Sequence, residues 1–322
     1  MDIVYTKQAT EYKGNEFPEG KYRLDGIGKV GTKVDPEIVT EPFISSVHAE
    51  DQINLLRQAG ENNRMLAEVA TDSDTFPAAQ KSIALAQYAA KHNDFSAGRP
   101  PGHHANETTS KGFCFFNNIA IVTKNLINEG KKVCIIDFDG HQGDGTEEIF
   151  YEDGNVLFLS IHQEFAYPYL YLGYRTDKGY DVTVDRHGKG DGDGLIYNVP
   201  VPKSAGDDIL TEILEKFNPI IKSFSPDTIG VSAGFDGYMD DSLLDLNYSK
   251  HGFYSAGKII SSLHIPTFAL LEGGYHHEVV DCIQCFAAGI NDDEYPADQN
   301  PTESAEELDD RFQEYLEKSG IV

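Results

Sequence analysis

Four stretches of this sequence are apolar on both faces and end in turns rich in glycine and charge: KKVCIIDFDG, NVLFLSIH, DTIGVSAGFDG and IPTFALLEGGY. A strand with one wet face alternates apolar and polar residues, whereas a run that is apolar throughout belongs in a parallel sheet covered on both sides. The segments between them carry helical spacing, as in AAQKSIALAQYAAK, so strand and helix alternate along the chain. The expected fold is α/β, an open and mostly parallel sheet with helices on both faces. No repeat or biased linker breaks the pattern, and residues 1–322 are expected to form one domain. Residues 162–194, rich in glycine and tyrosine, read as a long loop bordering a site. Towards the C-terminus, Ser304 and Glu307 stand at capping-box spacing ahead of Leu308, Phe312, Tyr315 and Leu316. That pattern predicts a docking helix with one apolar face.

In open α/β sheets ligands bind beyond the carboxyl ends of the strands, and the polar clusters of this chain fall at such ends. In IIDFDGHQGDGT the alternation of an extended segment puts Asp137, Asp139 and His141 on one side of the strand's exit. Asp236 arrives in VSAGFDGY at the end of another predicted strand. Two carboxylates and one imidazole give Zn2+ three protein ligands and leave a coordination position open, as hydrolytic sites require. Either stretch alone also reads as an ordinary Asp-Gly turn; the two together favour the metal. RPPGHHA supplies His103 and His104 in a loop stiffened by proline, and histidine is the side chain best placed to move protons near neutrality. Asp137 and Asp144 are available to orient the pair. In LLEGGYH two glycines let Tyr275 project from a sharp turn, where a phenol can donate to a developing oxyanion.

Charge narrows the ligand classes. With 26 basic against 53 acidic residues, a formal charge of −27, the surface repels nucleic-acid phosphates and concentrates cations, so amines or lysine-rich peptides are the expected substrates. Cys114, Cys134, Cys282 and Cys285 lie in apolar runs without a disulfide framework, which fits a reducing, cytoplasmic setting. No segment has the length of a membrane span or the form of a signal peptide, so neither membrane nor nucleic acid is an expected partner. CIQC, a single pair, reads as part of an apolar helix, and HGKGDGDG as a surface turn.

The ordered series RPPGHHA, GFCFFNN, DFDGHQGDGT, SAGFDGY and LEGGY, spanning residues 99–276, resembles the zinc-dependent histone deacetylase superfamily, which includes the acetylpolyamine amidohydrolases. The resemblance implies that Asp139, His141 and Asp236 hold zinc. It further implies that His104 is the general base and acid, that His103 assists electrostatically, and that Tyr275 polarises the acetyl carbonyl. It pairs Asp137 with His103 and Asp144 with His104. It also implies a structural K+ held by backbone carbonyls of Asp137, Asp139, His141 and Ile161 and the Ser160 hydroxyl. Gly112 would leave room for the substrate chain and Phe113 would form one wall of an aromatic tunnel, with Tyr167 as the candidate for the opposite wall. Ring faces suit a slim polymethylene stem because they desolvate it and exclude branches, so hydroxamates on slim linkers are expected inhibitors.

Gln142 stands where many members have histidine, a change that activity is expected to survive. Two further departures concern the rim: YPYLYLGYRTDKG lacks the Pro-Gly-Thr-Gly type of turn and is closer to acetylpolyamine amidohydrolases, and FPEGKYRLDGI departs from a His-Pro-Glu-Arg pattern. Asp72 and Asp74 are the expected acidic rim residues, with Glu16, Glu19 and Glu107 as further candidates. The expected activity is removal of acetyl or short acyl groups from acetylated polyamines or acetyl-lysine proteins. A strictly protein acyl-lysine deacetylase, a dimanganese arginase-like hydrolase and a non-catalytic acyl-lysine binding module are the alternatives, and a homo-oligomer is left open.

Overall fold

The computed structural model describes residues 1–169, 173 and 179–321. Its eight-stranded sheet comprises Ile3–Tyr5 (β1), Thr32–Lys33 (β2), Phe95–Ser96 (β3), Val133–Asp137 (β4), Val156–Gln163 (β5), Ile196–Val201 (β6), Thr228–Ala233 (β7) and Thr267–Leu271 (β8). The order is β2-β1-β3-β8-β7-β4-β5-β6, and every pairing is parallel. The four strands read from sequence are β4, β5, β7 and β8, and all four are wholly buried.

The longer helices are Glu50–Glu61 (α1), Thr75–His92 (α2), Asn118–Asn128 (α3), Asp144–Phe150 (α4), Asp207–Phe224 (α5), Lys250–Ser261 (α6), Val279–Asn291 (α7) and Asp309–Ser319 (α8). Alternation along β4 sorts them into layers. Val133 and Ile135 pack with Leu85 and Ala89 of α2 and Ile119 and Val122 of α3. Cys134 and Ile136 face the opposite cluster, which takes in Leu210 and Phe217 of α5, Phe253 of α6, and Ile283 and Phe286 of α7. Fully apolar strands are the consequence of having helices on both sides. The CIQC cysteines are free and buried in α7. Among the described residues no helix is long and apolar enough to cross a membrane.

The predicted C-terminal helix forms as α8, with Phe312, Tyr315 and Leu316 buried. The capping box does not form: the Ser304 hydroxyl donates to the Asp208 carboxylate at 2.8 Å and accepts from the Gly206 amide, and α8 begins after Leu308. A tertiary partner at the start of α5 outcompetes the local cap.

A smaller cluster, with Ile53, Leu56, Phe115 and Phe116, supports the hairpin Met65–Leu66/Val69–Ala70. Its turn residues Ala67 and Glu68 take φ of 50° and 60° without being glycine. The Ala67 carbonyl accepts the Phe113 amide at 3.0 Å, and the Glu68 carboxylate accepts the Gly112 amide at 2.8 Å. The hairpin thus fixes Gly112 and Phe113 at the end of the sheet where β4, β7 and β8 finish.

Candidate active site

Register sets the floor of the site. Asp137 ends β4 opposite Ser160 of β5 and Ser232 of β7. Beyond it the backbone folds back on its own carboxylates: the Asp139 amide donates to Asp137 at 3.1 Å and the His141 amide to Asp139 at 2.9 Å. Bonds also cross between strand ends: the Gly273 amide after β8 donates to Asp139, and the Gly140 amide of the β4 loop donates to Asp236 beyond β7, both at 2.7 Å. Gly234 passes so close that a Cβ there would lie 2.0 Å from the Asp139 carboxylate, so only glycine fits.

These turns bring Asp139, His141 and Asp236 together, all buried, with one potential ligand atom from each within 4.8 Å of the others. His141 Nδ1 lies 3.3 Å from Asp139 and 2.8 Å from Asp236. Burial favours the neutral form of every group here, yet the neighbouring carboxylates raise His141 to about 10. Burial and the adjoining Asp139 charge raise Asp236. Asp139 is driven the other way: against its burial, the His103 and His141 charges lower it. Two enclosed carboxylates thus recruit the imidazole as a cation, which is the electrostatic demand a divalent ion satisfies. Oxygen and nitrogen donors in this number fit a catalytic zinc that keeps an open position. Among the described residues no other group of three potential ligands lies this close together.

The histidine pair sits in the loop before α3. The Glu272 carboxylate, wholly buried at the end of β8, accepts the Gly102 and His103 amides at 2.7 and 3.1 Å. His103 Nδ1 is 3.1 Å from Asp137 and its Nε2 is 3.7 Å from Asp139. Burial opposes charge on His103, but these two carboxylates raise its pKa well above the ordinary value. His104 Nδ1 is 2.8 Å from Asp144 at the start of α4. Burial, reinforced by the charge on His103, lowers His104 to about 4. The two rings lie with centroids 4.0 Å apart and planes tilted by 41°, and their surroundings push the two imidazoles in opposite directions, His103 towards the charged form and His104 towards the neutral one.

Tyr275 is held at three places. Its amide donates to Asp241 at 2.6 Å, its carbonyl accepts from the Tyr22 hydroxyl at 2.9 Å, and the Arg23 guanidinium lies 4.7 Å from its ring centroid. Burial raises its pKa well above 10 and outweighs Arg23, so the hydroxyl remains a donor. A pocket of about 280 Å³ opens above these groups, lined by Glu68, His104, Gly112, Phe113, His141, Tyr167, Leu243 and Tyr275. Phe113 meets Tyr275 edge to face at 5.5 Å, and Tyr167 meets His104 likewise at 5.0 Å. A Cβ on Gly112, where φ is +57°, would lie 2.4 Å from the His104 ring.

The rim differs from expectation. Neither Asp72 nor Asp74 lines the pocket; the Asp72 carboxylate accepts the Asp74 amide and the Thr75 hydroxyl at the start of α2. Glu19 is wholly buried, paired with Arg23 and with Arg99, while Glu16 and Glu107 are exposed and outside the lining. The carboxylate at the mouth belongs to Glu68. Two-residue strands with a glycine-free turn gave no sequence signal for it. Glu272 had one, a lone charge within the apolar run ALLEGGY. Lys111, ion-paired with Asp144, had none.

A family model described as the histone deacetylase domain matches residues 21–289. A probable deacetylase of Archaeoglobus fulgidus is 33% identical over 282 residues, 80% of this chain and 75% of that protein. Acetylpolyamine amidohydrolase 1 of Pseudomonas aeruginosa is 34% identical over 222 residues, 66% of this chain and 61% of that protein. The structure of an HDAC homologue from Aquifex aeolicus superposes with a TM-score of 0.80, covering 98% of this chain and 100% of that one at 22% identity, a likeness that carries the fold alone.

Proposed function

Because the chain belongs to the histone deacetylase domain family, we propose that it is a zinc-dependent deacetylase whose pocket takes acetylated amines on slim, flexible stems. The observation that carries this reading is the convergence of Asp139, His141 and Asp236 beneath a pocket lined by His104 and Tyr275. Those three residues would hold the zinc, which when bound supplies Lewis acidity to a carbonyl and acidity to water.

The chain's own groups supply the rest. His104, neutral and fixed through Nδ1 by Asp144, takes a proton at Nε2 from the attacking water and returns it to the leaving amine nitrogen. His103, held cationic by Asp137 and Asp139, adds positive charge beside the reacting carbonyl and keeps His104 from protonating early. The Tyr275 hydroxyl donates to the carbonyl oxygen as it gains charge. Phe113 and Tyr167 strip water from the methylene stem, and Gly112 leaves room for its passage.

A structural K+ near Asp137, Asp139, His141, Ser160 and Ile161 belongs to the same proposal. The buried Asp137 and Ser160 stand opposite one another in register, and an all-oxygen set suits a hard cation; the Ser160 hydroxyl also lies 3.0 Å from His162 Nδ1. Potassium-dependent thermal stability would test it.

Acetylated polyamines are the favoured substrates. The net charge of −27 and the Glu68 carboxylate at the mouth favour a stem that carries a second positive charge. Acetyl-lysine proteins are the second reading, favoured by the exposed apolar side chain of Leu243 at the same mouth. Side-by-side acetate release from acetylputrescine, acetylspermidine and an acetyl-lysine peptide, with zinc loaded, tests the proposal. Higher kcat/KM on the amines supports the first reading and the reverse order the second. Release from none of them leaves a binding module.

A further inference from the structure

The family match ends at residue 289, and α8 lies beyond it, yet α8 grips the loop that carries Tyr167. The grip centres on one hydroxyl. Tyr315, buried on α8, donates to the Glu164 carboxylate at 2.7 Å and accepts the Asp181 amide at 3.2 Å. Glu164 and Asp181 are the two stems of the loop, and they are also joined directly, since the Phe165 amide donates to the Asp181 carboxylate at 2.7 Å. Around this node Arg311 of α8 pairs with Glu164 at 2.7 Å and lies 5.5 Å from the Phe165 ring centroid, while Lys318 lies 4.1 Å from the Tyr180 ring centroid.

Packing alone does not call for this chemistry. Phe312 and Leu316, both 1% exposed, already seat the helix, and an apolar side chain in place of Tyr315 would fill the same space while leaving the buried Glu164 carboxylate without this donor. A buried charge network adds little net stability over apolar packing, and its recurrent use is to fix one arrangement among several. The element fixed here is short: Tyr167 lies three residues beyond Glu164, and its ring meets His104.

We propose that α8 is a clamp on this loop and that Tyr315 is a positioning residue: by bridging the stems it sets where Tyr167 stands and hence the bore of the pocket. The proposal rests on the reading of Tyr167 as a wall of the substrate tunnel.

The test compares zinc-loaded wild type with Tyr315→Phe, which removes only the hydroxyl. Amide exchange at Phe165 and Asp181 should quicken about five- to tenfold, the effect of losing one buried hydrogen bond. KM for acetylputrescine should rise several-fold with kcat within twofold, and the KM effect should vanish in a Tyr167→Ala background, because one acts through the other. Unchanged exchange at those amides, or a KM effect that adds in full to that of Tyr167→Ala, overturns the clamp. Exchange is read without substrate, so a wild type that releases no acetate refutes the functional reading separately. If Tyr315→Phe fails to fold, Arg311→Met, at a half-exposed side chain, weakens the same node and is held to the same outcomes.

Discussion

Tyr275→Phe isolates a single donor. The ring is fixed by neighbours that the substitution leaves in place: Arg23 at 4.7 Å, the edge of Phe113 at 5.5 Å, and the backbone bonds to Asp241 and Tyr22. The hydroxyl faces the pocket and makes no hydrogen bond to the described protein groups, so its loss should cost folding less than about 1 kcal/mol. Its proposed work comes only as the carbonyl oxygen gains charge, and removing one such donor typically costs about 2.7–4 kcal/mol, or a factor of about 10² to 10³ in kcat. The expected result is therefore a fall of about two to three orders of magnitude in kcat on an acetylated diamine. KM should stay within about threefold because the ground-state carbonyl is a weak acceptor. Acetate release by zinc-loaded protein, with zinc content and thermal midpoint measured on the same preparation, reads all three quantities. A kcat within about fivefold of wild type would refute the oxyanion role; a parallel fall in zinc content or midpoint would show that the phenol is structural.

Asp236→Ala leaves one carboxylate and one imidazole, and should abolish zinc retention through desalting, as measured by elemental mass spectrometry. Gly112→Ala places a Cβ 2.4 Å from the His104 ring and 3.0 Å from Tyr167; misplacing the base should cut kcat/KM by about a hundredfold or more while zinc stays bound. For pH, the neutral form of His104 is the active base, and its lowered pKa of about 4 keeps activity on the acid side of neutrality. Lys111→Met frees the Asp144 carboxylate from the ammonium paired with it, so Asp144 stabilises the imidazolium better, the His104 pKa rises, and the acid limb of kcat/KM moves to higher pH. A limb that stays in place, or moves lower, counts against His104 as the base.

The sheet was legible because strands buried on both faces have to be apolar throughout, and β4, β5, β7 and β8 are. The convergence of Asp139, His141 and Asp236 was legible for a related reason: charged residues directly after such strands can only stand at the sheet's carboxyl edge. Residues whose surroundings come from distant segments were not. Glu19 reads as a surface acid until Arg99, 80 residues away, closes over it. The Ser304 cap loses to Asp208, 96 residues earlier. Glu68 reaches the mouth through a turn with unfavourable φ at two non-glycine positions, which no local propensity favours. The helical face of α8 was readable, but the partners of the Tyr315 hydroxyl were set by loop packing.

The claim beneath the whole account is a single metal seated between Asp139, His141 and Asp236. Diffraction from zinc-loaded crystals on either side of the zinc absorption edge tests it most directly. One anomalous peak per chain is expected at the zinc edge, with an oxygen of Asp139, a nitrogen of His141 and an oxygen of Asp236 each about 2.0–2.2 Å away. A zinc peak held by other residues, or none between these three in protein that still releases acetate, would contradict it.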